Sequence, residues 1–189
     1  MPEYTLTAAP PLAGYDKSFG DITLKAPADL ALVSVALPLG AEDAAKKAIK
    51  AAYGSDLPEV GKCCVTAKGK TTLIRMATDQ GFVLFAHATP DAEQVVAGKL
   101  KGKAYTTDQT DVWCALEISG ADARRALARI CPIDLHDNAF AVHDAARTVM
   151  EHLGVIIVRT EPERWLLLSA SSSAGTFLHA LETSIKNVS

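Results

Sequence analysis

Between Leu30 and Leu37 nearly every position is apolar, and the run stops at Pro38 and Gly40. This predicts a buried strand. Ala41–Tyr53 is alanine-rich, carries Lys46, Lys47 and Lys50 toward its end and is followed by Gly54. Those features predict a helix with cations at the negative pole of its dipole and glycine at the C′ position. Two strands, Thr71–Ala77 and Phe82–His87, flank a turn at Thr78-Asp79-Gln80-Gly81. Thr89-Pro90-Asp91 then opens a helix running to about Leu100, with threonine as cap and proline at the first helical position. Over Val112–Ile118, Val112, Cys114, Leu116 and Ile118 alternate with Trp113, Ala115 and Glu117, a strand with one dry face. A helix over Ala121–Ile130 places Ala123, Ala126, Leu127 and Ile130 on one stripe and ends at Pro132. The last third predicts strands at Ala145–Met150, Val155–Thr160 and Trp165–Leu168, with a turn at residues 161–164. A helix over about 174–186 follows, with Phe177, Leu178, Leu181 and Ile185 sharing a face.

The order of these elements predicts an α+β fold of antiparallel or mixed sheets carrying helices on one face. Strands near 64–87 followed by a helix, and strands near 145–169 followed by a helix, suggest a duplicated β-β-α unit, although the residues themselves show no repeat. Residues 1–29, with Pro10, Pro11, Gly14, Gly20 and Pro27, read as an extended N-terminal tail. Residues 30–189 read as the α+β domain.

Composition narrows the function classes. The chain has 189 residues, 49% hydrophobic and 22% charged, enough to bury a core. Its net charge of −3 lacks the basic excess that neutralises a phosphate backbone, so nucleic acid is not an expected partner. No apolar run approaches the ~18–20 residues of a membrane span. The first residues lack the basic and apolar regions of a secretory signal. Cys63, Cys64, Cys114 and Cys131 do not form the spacing of a disulfide framework. A cytoplasmic protein is the expectation.

Candidate chemistry concentrates between Ile133 and Asp144. Asp134, His136, His143 and Asp144 offer oxygen and nitrogen ligands for a metal, or carboxylate and imidazole for acid–base work. The spacing matches no closed metal motif, and no third or fourth ligand is fixed. The alternative is a loop in which Asp134 holds a turn and His136 bonds backbone groups. Adjacent Cys63 and Cys64 point to opposite faces of a strand. Cys131 lies at a helix C-terminus, the wrong pole to activate a thiol. Arg124, Arg125 and Arg129 read as a solvated helix face. Arg147, within a strand, is expected to be half-buried and to need a carboxylate, with Asp144 and Asp134 as candidates. Ser171-Ser172-Ser173-Ala174-Gly175 reads as an N-cap. No glycine-rich phosphate-binding pattern occurs.

Three further features carry a resemblance. Ser119-Gly120-x-Asp122-Ala123-Arg124 heads a helix. Cys131-Pro132-Ile133-Asp134-Leu135-His136 follows, with Phe140 four residues on. Ala146-Arg147-Thr148 then begins a strand, and Asp56-Leu57-Pro58 fits more loosely upstream. In this order the motifs resemble the gamma-subunit family of heterotetrameric sarcosine oxidase, over about 30–186 and most specifically over about 105–150. The resemblance implies a fragment of the folate-binding fold of the glycine-cleavage T-protein. It implies a non-catalytic chain in a complex that oxidatively demethylates sarcosine to glycine, hydrogen peroxide and a one-carbon unit, formaldehyde or methylene-tetrahydrofolate. The partners implied are the alpha, beta and delta subunits, which would carry the FAD, FMN, NAD, zinc and tetrahydrofolate. No catalytic, cofactor or metal residue is implied in this chain. Asp134, Leu135, His136, Phe140, Arg147 and Arg124 become candidates for structural or interfacial roles. The family's arginine-containing element before the last helix is replaced here by Ser171-Ser172-Ser173-Ala174, and small hydroxyls cannot hold a carboxylate bidentately.

Two other functions compete. A free-standing folate or one-carbon binder needs a concave pocket with an acid for the pteridine, for which Asp134 and Asp144 are the candidates. A metal-dependent hydrolase would use Asp134, His136, His143 and Asp144.

Overall fold

The computed structural model describes residues 9–67 and 71–188. In it the chain forms β1 (Asp16–Phe19), β2 (Ile22–Lys25), β3 (Leu30–Ala36), α1 (Glu42–Tyr53), β4 (Lys62–Val65), β5 (Thr71–Arg75), β6 (Gln80–Ala86), α2 (Ala92–Leu100) and β7 (Tyr105–Asp108). After these come β8 (Trp113–Ser119), α3 (Ala123–Ala128), β9 (Ala145–Met150), β10 (Leu153–Glu161), β11 (Arg164–Ala170) and α4 (Ala174–Lys186).

Strand β3 is apolar on nearly every position because both of its faces are covered. Ala31, Val33 and Val35 pack with Ala45, Ile49 and Tyr53 of α1 and Ala92, Val96 and Leu100 of α2. Leu32 faces the other way, into a cluster with Phe82, Leu84, Ile156, Val158, Leu166 and Leu168. The same alternation splits β10 and β11. Val155, Ile157, Trp165 and Leu167 join Ala123, Leu127, Phe177 and Leu181 on the helix side. The result is four layers: α1 and α2, a five-stranded sheet, a six-stranded sheet, then α3 and α4. Each sheet carries its helices on one face and meets the other sheet with the opposite face.

The sheet orders are β4-β5-β6-β3-β7 and β9-β10-β11-β8-β2-β1, and every pairing is antiparallel. The duplication is therefore larger than a β-β-α unit. A strand, a helix, three strands and a helix occur twice, with the first strand of each unit pairing its last. The two sheets join at one corner, where the Cys63 N–H donates to the His143 carbonyl at 2.7 Å and the Ala145 N–H to the Gly61 carbonyl at 2.8 Å.

The extended tail expected over residues 1–29 needs correction. Residues 16–25 form the β1–β2 hairpin, and β2 pairs β8 through Leu24 opposite Ile118. Ile22 and Leu24 are buried beside Leu116 and Trp165 while Thr23 and Lys25 face outward, a two-residue period too short to stand out among the surrounding Pro and Gly. Residues 1–8, which include the stretch lacking a secretory signal, lie outside the described residues.

Elsewhere the differences are local. Helix α2 starts at Ala92, because Thr89 and Asp91 bond to each other and to His87 rather than capping. Val112 lies in a 3-10 turn and is exposed, so the dry face of β8 is Cys114, Leu116 and Ile118. Helix α3 spans only Ala123–Ala128. Among the described residues no helix is long and apolar enough to cross a membrane.

Candidate functional site

Two places concentrate polar chemistry: the loop between α3 and β9, and a cleft between the ends of the two sheets.

In the loop, Cys131, Leu135 and Phe140 are buried in the core of the six-stranded half. Between these anchors the polar side chains bond locally. The Asp134 carboxylate accepts the His136 N–H at 2.9 Å, and His136 Nδ1 accepts the Asn138 N–H at 3.3 Å. The His136 carbonyl accepts the N–H groups of Ala139 and Phe140, each at 2.8 Å. Asp144 accepts the Ala141 N–H at 2.9 Å and forms an ion pair with Lys62. Asp134 and His136 thus hold turns, as the loop reading expected.

The group that binds the loop to the sheet is Arg159, whose side chain is 5% exposed. It donates to the Phe140 carbonyl at 2.7 Å, the Asp137 carboxylate at 2.6 Å and the Pro162 carbonyl at 2.6 Å. Its Nε has no hydrogen-bond partner among the described residues, and the guanidinium lies 5.4 Å from the Trp165 ring. The hydrogen bond from Arg159 holds the Asp137 carboxyl below its ordinary pKa, with Arg124, 3.5 Å away, adding to the effect.

The expectation for Arg147 is corrected. It lies exposed on β9, an edge strand, and among the described residues it pairs with neither Asp144 nor Asp134. The buried strand arginine is Arg159. Sequence reasoning passed over it at the end of the apolar run Val155–Val158, where a charge entering a dry strand was the available signal.

The metal ligand set is not brought together. Asp144 faces Lys62, Asp134 faces its own turn, and His143 sits 4.0 Å from the Cys63 sulfur. Among the described residues no group of three or more His, Cys, Asp or Glu side chains is placed to hold a metal ion.

All four cysteines are free. Cys63 points between the sheets and Cys64 toward the helix side, as expected of strand neighbours. Burial pushes the Cys63 thiol up to about 12, so it is no nucleophile at neutral pH. Ser173 precedes α4 but makes no side-chain cap, contrary to the N-cap expectation.

The cleft has a volume of about 250 Å³ and is lined by Leu12, Asp29, Leu30, His87, Asp111 and Trp113 among others. Asp134 and Asp144, the candidate acids of the competing folate-binder reading, do not line it. Its volume falls below the ~300–1,000 Å³ of pockets that enclose drug-sized ligands.

A family model described as "Sarcosine oxidase, gamma subunit family" matches residues 38–186. The sarcosine oxidase subunit gamma of Arthrobacter sp is 30% identical over 122 residues, which cover 64% of this chain and 60% of that relative. This chain therefore spans less than two thirds of that relative's length. Among solved structures, heterotetrameric sarcosine oxidase from Corynebacterium sp. U-96, in complex with pyrrole 2-carboxylate, superposes with a TM-score of 0.77 at 23% identity, covering 88% of this chain and 84% of the matched one. Glycine cleavage system aminomethyltransferase T from Bartonella henselae gives a TM-score of 0.63 at 16% identity, over 85% of this chain and 45% of that one. At these identities the structural likeness is one of fold, and the α+β expectation agrees with it.

Proposed function

Because the chain belongs to the sarcosine oxidase gamma subunit family, we propose that it is a non-catalytic gamma subunit that supports assembly of a heterotetrameric sarcosine oxidase. The observation that carries this reading is the use made of the motif Cys131–His136. Leu135 enters the core, the Asp134 and His136 side chains bond backbone N–H groups of their own loop, and Arg159 fastens that loop to the sheet. A motif that carries the family resemblance is spent on building a surface. Its partners are the alpha, beta and delta subunits. These carry the FAD, FMN, NAD, zinc and tetrahydrofolate, and the complex converts sarcosine to glycine, hydrogen peroxide and a one-carbon unit, formaldehyde or methylene-tetrahydrofolate. Four free thiols suit a reducing, cytoplasmic setting.

Co-production with the alpha, beta and delta chains tests the reading. The expected result is stoichiometric co-purification and a loss of assembled oxidase when this chain is omitted. Turnover of sarcosine by the purified chain alone, or an oxidase that assembles equally well without it, would overturn the proposal.

A further inference from the structure

The two sheets have matching orders up to one strand. In the six-stranded sheet β2 lies on β8, and β1 covers β2 with Asp16 opposite Lys25 and Phe19 opposite Ile22. In the five-stranded sheet β7 lies on β3, and among the described residues no strand covers β7. The position equivalent to β1 is open there.

The other sheet edges are guarded or occupied. Strand β4 is tied to the 143–145 segment through Lys62 opposite Asp144. Strand β9 exposes Arg147 in its middle, and β1 begins with Asp16 and Lys17, of which Lys17 is paired to Glu182. Charges on an edge are the usual device against strand addition. Strand β7 reads Tyr-Thr-Thr-Asp, with its single charge at the last position, and Tyr105 is 70% exposed. In an antiparallel pair alternate residues turn their N–H and C=O groups away from the partner, so β7 presents donors and acceptors along its outer side.

We propose that β7 accepts an antiparallel strand from another chain of the oxidase, a segment with a cation near its N-terminal end and a carboxylate near its C-terminal end. This rests on the gamma-subunit reading above. The antiparallel direction follows the equivalent pairing of β1 on β2, and the charges bracketing β7 then set which end of the incoming segment carries which charge. Lys101 and Lys103 precede β7, Asp108 and Asp111 close it, and among the described residues none of the four is in an ion pair. An incoming antiparallel strand starts opposite the aspartates and ends opposite the lysines. Backbone pairing supplies the affinity and these end charges fix direction and register.

The test compares hydrogen exchange of the full chain alone with that of the same chain co-purified with the alpha, beta and delta subunits. The outward-facing amides among residues 105–108, those not already bonded to β3, are expected to exchange at least about tenfold more slowly in the complex. A Tyr105→Lys/Thr107→Lys double variant, altering exposed side chains only, is expected to melt like the parent chain and to lose at least about fivefold in recovery with the complex. If the complex forms with exchange at 105–108 unchanged, or the double variant assembles as well as the parent, this proposal is wrong while the gamma-subunit reading stands. If protection arises instead in a dimer of the chain alone, the occupant is a second copy and the proposal is overturned. If the parent chain never joins the other subunits, both readings fall together.

Discussion

Arg159 reaches across the loop to the carbonyl of Phe140, nineteen residues earlier, and donates to it at 2.7 Å from an almost fully buried guanidinium. A second arm reaches the Pro162 carbonyl at 2.6 Å. Replacing Arg159 by Leu leaves both carbonyls without this donor, and Asp137, which is exposed, adds little. The expected loss is about 2–3 kcal/mol in urea unfolding. Arg159→Lys keeps the charge without the planar fork and is expected to recover less than half of that loss. A Leu variant as stable as the parent would show that the buried anchors Cys131, Leu135 and Phe140 and the backbone bonds between residues 143–144 and Arg159 hold the loop without the guanidinium.

Gly120 follows β8 with φ +123°, and a Cβ placed there would lie 1.9 Å from the Asp21 carbonyl oxygen. That oxygen belongs to the turn leading into β2, so it cannot move without dragging the hairpin. Gly120→Ala is expected to cost at least ~2 kcal/mol. Gly154, in β10, has open space where its Cβ would go, and Gly154→Ala is expected to stay within ~0.5 kcal/mol. Chemical denaturation midpoints of the two variants make the comparison, and equal effects would mean the hairpin is not clamped at Gly120.

These two positions mark what a sequence can and cannot carry. Strand β3, the β9–β10–β11 meander and α4 were legible because each has a strong local pattern, doubly buried or one-sided. Strand β7 was not, since Tyr-Thr-Thr-Asp has no apolar alternation and is held by pairing with β3. The two strand arginines expose the deeper limit. Arg147 and Arg159 both sit in strands, and only strand order decides which is enclosed: β9 is an edge, whereas β10 lies between β9 and β11. Local pattern does not encode that order. The same limit hid the cleft, whose lining comes from segments as far apart as Leu12, His87 and Trp113.

Cys63 and Cys64 are neighbours in sequence with separate surroundings. Cys63 is buried between the sheets with its pKa pushed up to about 12, chiefly by desolvation. Cys64 is partly exposed, and burial raises its thiol as well. Since the thiolate is the reacting species, the native protein at pH 8 is expected to alkylate Cys64 at least about tenfold faster than Cys63. Peptide mass spectrometry after a timed iodoacetamide pulse reads the two sites separately. Equal labelling would mean that the sheets open at the β4 corner on the timescale of the pulse.

One carboxylate of α4, Glu182, gathers donors from the start of the hairpin. Tyr15 donates its hydroxyl to Glu182 at 2.6 Å, and Lys17 and Lys186 each approach the same carboxylate at 3.1 Å. The Tyr15 hydrogen bond first, then those of Lys186 and Lys17, hold the Glu182 carboxyl at about 2 against an ordinary 4.5. A folded pKa below the unfolded one stabilises wherever the carboxylate is ionised in both states, above about pH 4.5. That contribution drains away as the pH falls from 4.5 toward 2, because the unfolded chain takes up its proton first. Tyr15→Phe removes the largest cause, and is expected to cost about 1 kcal/mol at pH 7. The gap between parent and variant should narrow through the pH 4.5–2 window, measured by thermal melting at closely spaced pH values. A gap of constant size from pH 7 to pH 2 would mean that the Tyr15 hydroxyl stabilises the hairpin independently of the charge on Glu182, and no gap at pH 7 would mean that Tyr15 acts through its ring alone.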